Sequence, residues 1–169
     1  MHPPAELLSI GQCASLACAL EVLAPKPGNV HRSADFETAT LQDFVVSAIV
    51  VGPIMNNAAE LRIGELVLQS VAATAQWVGT NTNLGLAMLL APLAKAAARS
   101  GGIVDRQEVR TVLDQMMASD AQDVYAAIRL SRAGGLGSTE KFDVSEKPAE
   151  GLVGRHVCCG KSRYDRTPV

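Results

Sequence analysis

Lys26, Asn29, His31 and Arg32 lie within seven residues of one another, with Pro25 and Pro27 flanking the lysine and Gly28 following. Proline locks φ and glycine admits positive φ, so the segment reads as a shaped loop with two permanent cations, an amide and a titratable ring. Such a loop can hold a phosphate chain. A second group, Asn81-Thr82-Asn83-Leu84-Gly85, stands just before an apolar run. Amides and unpaired N–H groups at a helix start make an anion-binding corner, and an ordinary Asn/Thr cap is the competing reading. Asp120 and Asp123 fall at i, i+3, with Arg129 two turns on. Two carboxylates so spaced could hold Mg2+ through water and phosphate oxygens, or simply suit a helix dipole. Gly134-Gly135-Leu136-Gly137 lets a backbone approach a phosphate closely, or serves as a connector.

Helices must position these groups. Apolar spacing predicts a first helix over 5–23, stopped by the proline segment. A second, capped by Thr38 or Thr40, ends at Gly52-Pro53, and a third runs over 58–77 with Leu61, Leu66, Val67, Ser70, Val71 and Thr74 on one side. The fourth, 84–99, is apolar nearly all round and is expected to be the buried central helix, bent at Pro92. A fifth spans 106–117 and a sixth 120–130, with Asp120 as its acidic N-cap. No segment alternates with period two. The expected fold is all-α, a compact multi-helix bundle.

Composition narrows the function. The chain has 169 residues, 48% hydrophobic but only 4% aromatic, so its core must be packed with Ala, Leu, Val and Ile. That length suits one modest domain. Net charge is −2 with no basic block, which argues against nucleic acid as a partner. The apolar runs 44–55 and 84–94 are shorter than the roughly 20 residues of a membrane span, and each contains proline. The N-terminus lacks the basic region of a signal peptide. A cytoplasmic protein without membrane contact is expected, with Cys13 and Cys18 reduced and in or near the core.

Gly154 to Ser162 reads G-R-H-V-C-C-G-K-S, but five residues separate its first glycine from Gly-Lys-Ser where a phosphate loop has four. His156 with the adjacent Cys158 and Cys159 has poor zinc spacing.

Several strings together resemble the ATP:dephospho-CoA triphosphoribosyl transferase family. They are L-E-V-L-A-P-K-P-G-N-V-H-R at 20–32, D-F at 43–44 with Ser47-Ala48, and N-T-N-L-G-L-A-M-L-L-A-P-L-A at 81–94. D-A-Q-D-V-Y-A-A-I-R-L at 120–130, G-G-L-G at 134–137 and Asp143-Val144 complete the set. The wording is similar to a divergent branch. Members serving citrate lyase typically read K-P-G-L-V-D-R and N-T-H-K-G, where this chain has Asn29, His31, Asn83 and Leu84. The resemblance implies that the 2′-hydroxyl of dephospho-CoA attacks the anomeric carbon of ATP, adenine leaves and the triphosphate stays on the sugar. It implies ATP as substrate, with Mg2+. Lys26, Gly28, Asn29, Arg32, Arg129, Gly134, Gly135 and the corner Asn81, Thr82, Asn83 and Gly85 are its candidates for holding the nucleotide. Asp35, Asp120 and Asp123 are candidate oxygen ligands. His31 or an aspartate (Asp35 or Asp120) would act on the reacting groups, and the residues alone do not choose the base.

The resemblance stops near residues 148–152, where apolar periodicity also ends. A frame slip would account for this: reading one base later from Leu152 permits an amphipathic string containing R-D-T-I-A-R-Q-Y, similar to the family's next helix. The expectation is a helical domain over 1–148, incomplete relative to the family, and an irregular tail over 149–169. Missing helices would leave apolar faces open to self-association. An enzyme of another acceptor specificity and a non-catalytic helical interaction module are the alternatives. Convergence of the three loops on one cleft favours the enzymes, and scatter favours the module.

Overall fold

A computed structural model describes residues 8–24, 39–102 and 104–131 of the chain. Within them the protein is all-α, with α1 Ile10–Leu23, α2 Leu41–Met55, α3 Ile63–Ala75, α4 Leu84–Ser100, α5 Arg106–Asp114 and α6 Ala118–Ser131. The loops at 25–38 and 134–137, and the tail with His156, Cys158 and Cys159, lie outside the described residues.

Caps decide where several helices start. The first begins at Ile10 rather than Ala5, because Ser9 and Gln12 form a reciprocal capping box. Thr40 caps α2 in the same way through Asp43. That helix passes the expected stop at Gly52-Pro53 and ends at Met55, since an exposed proline in the last turn costs only one hydrogen bond. α3 starts at Ile63, not residue 58, because the Glu65 carboxylate accepts the Arg62 N–H at 2.8 Å and marks the first turn. α5 stops at Asp114, short of Met117. α6 then begins at Ala118. Asp120 is therefore its third residue and not its N-cap, with a carboxylate oxygen accepting the Met117 N–H at 2.9 Å. Gly101 and Gly102 both take positive φ and close the end of α4.

α1 and α2 are antiparallel and very close. The Gly11 N–H donates to Asn56 Oδ1 at 2.7 Å and Ser15 Oγ donates to the Ala48 carbonyl at 2.7 Å. A Cβ on Gly11 would collide with the Gly52 carbonyl, so glycine is required at this crossing. α4 packs against each of the other five helices, although Leu89 on its outer side is exposed and burial is not all round. The face expected for α3 is the buried one, with Leu66, Val67, Ser70, Val71 and Thr74 all inside. Cys18 is buried, but Cys13 is exposed, contrary to the expected core position.

α3 and α6 lie side by side and parallel. Gly64 at the start of α3 touches Asp120 and Asp123, while the ends of both helices line one cavity. The two ends of that parallel pair are separated by the 11 residue steps from Asp120 to Ser131, or roughly 16 Å of helix.

Candidate functional site

The asparagine segment lies at the start of α4, where its side chains divide into two groups. Thr82 and Asn83 are buried and turn inward. Ser47 Oγ donates to the Asp43 carbonyl at 2.7 Å, so it accepts from the Thr82 hydroxyl with which it is in contact. Asn83 Nδ2 donates to Thr74 Oγ1 at 2.7 Å. These two buried bonds tie the segment to α2 and α3. Asn81 is exposed, and its Oδ1 accepts the Leu84 N–H at 3.2 Å, capping α4. Among the described residues nothing stands within 4 Å of a Cβ built on Gly85, so none of them covers the first turn of α4 on that side.

Beside this corner is a cavity of about 590 Å3, formed by the end of α3, residues 78–81 with Asn83, and Leu130 and Ser131 at the end of α6. Asn81 and Asn83 therefore share a cavity with the residues from which the chain enters the Gly134-Gly135 segment. Ser47 lies two turns into the helix that follows the proline segment. The asparagine segment thus meets α2 through the Ser47–Thr82 contact and shares a cavity with the end of α6. Lys26, Gly28, Asn29, His31, Arg32, Asp35, Gly134 and Gly135 themselves are outside the described residues. Arg129 is exposed near the end of α6.

Asp120 and Asp123 sit at the other end of the parallel pair. Each oxygen of Asp120 accepts a backbone N–H, from Gly64 at 2.8 Å and from Met117 at 2.9 Å. The Arg62 guanidinium lies 2.8 Å from Asp123, 3.1 Å from Glu65 and 3.8 Å from Asp120. Burial works against the charge of Arg62, but its bonds and attraction to Glu65 and Asp123 outweigh that and raise its pKa. The Arg62 N–H, then the guanidinium, hold the Glu65 carboxyl below its ordinary range. A divalent ion between Asp120 and Asp123 would have to displace this guanidinium, so the pair as arranged does not fit a resident Mg2+. Among the described residues, no group of three or more His, Cys, Asp or Glu is placed to hold a metal. What the four charges do here is join α3 to α6.

Sequence reasoning assigned no role to Ser47, Thr74 or Arg62. Thr74 carried a signal, as one of two polar residues, with Ser70, on a largely apolar face. For Arg62 only the Glu65 partner, three residues on, is local; Asp120 and Asp123 are 58 and 61 residues away.

No described helix is long and apolar enough to cross a membrane. No curated protein and no solved structure matches the chain. Its sequence does match, over residues 8–157, the family described as ATP:dephospho-CoA triphosphoribosyl transferase. A match over so much of the chain, covering every described helix, places this protein in the ATP:dephospho-CoA triphosphoribosyl transferase family.

Proposed function

We propose that this protein transfers the triphosphoribosyl group of ATP to the 2′-hydroxyl of 3′-dephospho-CoA, acting in the cytoplasm. Family membership across residues 8–157 is the observation that carries this reading. The cavity beside the start of α4 supports it, being large enough for part of a nucleotide. In the reaction the hydroxyl oxygen bonds to C1′ as the C1′–N9 bond breaks. The hydroxyl proton goes to a base, His31 or Asp35, and adenine departs with the electron pair of the broken bond and takes up a proton. The triphosphate remains on the sugar, and its charge calls for Lys26, Arg32 and Arg129, with the backbone of Gly28, Asn29, Gly134 and Gly135. Mg2+ enters with the nucleotide as its counter-ion, consistent with the occupied Asp120–Asp123 pair.

Incubating the 169-residue chain with Mg-ATP and dephospho-CoA should release adenine in proportion to product. Lys26→Ala should slow release by about tenfold or more. Release no faster than in the protein-free control would overturn the reading. A different acceptor is the second reading. Asn83 and Leu84 favour it, standing where citrate-lyase-serving relatives carry histidine and lysine, and Asn83 here is spent on Thr74. Adenine release with other hydroxyl acceptors but not with dephospho-CoA would select it.

A further inference from the structure

We propose that the cavity between the ends of α3 and α6 is an adenine-nucleoside site, taking the base and ribose of ATP while the triphosphate lies outside it. The assignment rests on the reading above and adds to it where the nucleotide sits. Its ground is the character of the wall. The described lining carries no charged side chain: Thr80, Asn81 and Ser131 supply neutral polar groups, and Val71, Val78 and Leu130 supply apolar surface. A triphosphate pushed against this wall would lose its hydration and find no cation among the described lining residues to replace it. A flat neutral heterocycle requires what is present, apolar walls with a few donors and acceptors. The volume of about 590 Å3 lies in the range of small-molecule sites.

The frame around the cavity is rigid for a loop. Thr82 is held by Ser47 and Asn83 by Thr74, both in buried bonds. Asn81 is the side chain left facing outward, and its Oδ1 is turned to the Leu84 N–H. That orientation leaves Nδ2 to donate to a ligand. A carboxamide nitrogen so placed can donate to a ring nitrogen of adenine, one half of the carboxamide–adenine pair. Dephospho-CoA also carries an adenosine, so the chemistry has two sources, and the test must separate them.

Adenosine, ATP, dephospho-CoA and inorganic triphosphate are titrated separately into the full chain by calorimetry. Adenosine should bind saturably and be displaced by ATP. Asn81→Ala should weaken adenosine and ATP by about tenfold and leave inorganic triphosphate unchanged. Ala75→Trp, at an exposed position on the cavity wall, should block adenosine while the unfolding midpoint stays at the parent value. No saturable adenosine binding, unaltered binding in both variants, or displacement by dephospho-CoA but not by ATP would overturn the site. Normal adenosine binding without adenine release would remove the proposed reaction and leave the site. Normal adenine release with both variants unaffected would do the reverse.

Discussion

Ser47 shows how much one hydroxyl can decide. It donates to the Asp43 carbonyl and accepts from Thr82, so α2 and the asparagine segment share a buried polar joint. Ser47→Ala leaves the Thr82 hydroxyl buried without its partner and should cost about 1–3 kcal/mol in urea unfolding. Thr82→Val leaves Ser47 its bond to Asp43 and should cost less, about 0.5–1.5 kcal/mol. Equal losses, or the opposite order, would show that the joint is not built this way. The two described cysteines differ as sharply. Burial, helped by the Glu21 charge, pushes the Cys18 thiol from its ordinary value near 9.0 up to about 11. Iodoacetamide at pH 8 should therefore label Cys13 on the folded chain and Cys18 only in denaturant, as peptide mass mapping would show. The folded thiol keeps its proton longer than the unfolded one. Its contribution to stability is thus complete below pH 9 and is lost as pH rises toward 11. Cys18→Ala should flatten that decline.

At the scale of elements, close approaches between helices set the geometry of both ends of the parallel pair. A Cβ on Gly64 would stand 2.6 Å from the Cα and the carbonyl oxygen of Asp120, backbone atoms that cannot rotate aside. Gly64→Ala should therefore separate α3 from α6 and cost about 1–3 kcal/mol. Gly11→Ala should cost a similar amount at the α1–α2 crossing, where the Gly52 carbonyl is the obstacle. Gly85→Ala is the contrast, with no described residue near its Cβ, and should be neutral or stabilising by up to about 1 kcal/mol. Denaturation midpoints would check all three, and a silent Gly64→Ala would mean the helices stand further apart than described. Because the α3–α6 contact also shapes the cavity at the far ends of these helices, the Gly64 variant should weaken adenosine binding as well.

For the molecule as a whole, the outer layer is the unusual feature. Leu16, Leu20 and Leu23 on α1 and Val45 and Ile49 on α2 are exposed, each set spaced by about one helical turn. Apolar surface arranged in stripes favours association. The chain should self-associate as its concentration rises, measured by light scattering. Leu20→Lys with Ile49→Lys should reduce that association without lowering the unfolding midpoint. Association unaffected by both lysines would place the contact elsewhere.

The local pattern of residues determined the helices, the positions of most breaks, the inward face of α3 and the placement of Asn81 to Gly85 at the start of α4. These depend on neighbours a few positions apart: apolar spacing, a capping side chain, a glycine or proline. Family likeness was also legible, because strings such as 20–32 and 81–94 retain their order. What the side chains do there was decided by partners far along the chain. Thr82 meets Ser47 across 35 positions and Arg62 meets Asp123 across 61. No local periodicity encodes such pairs. Asp120 and Asp123 have the spacing of metal ligands, and only packing α3 against α6 puts a guanidinium between them. Thr82 and Asn83 are polar residues at a helix start, and only the fold turns them inward as ties and leaves Asn81 facing out. Local sequence settles what a segment can form, whereas burial and charge pairing across the bundle settle which groups remain for a ligand.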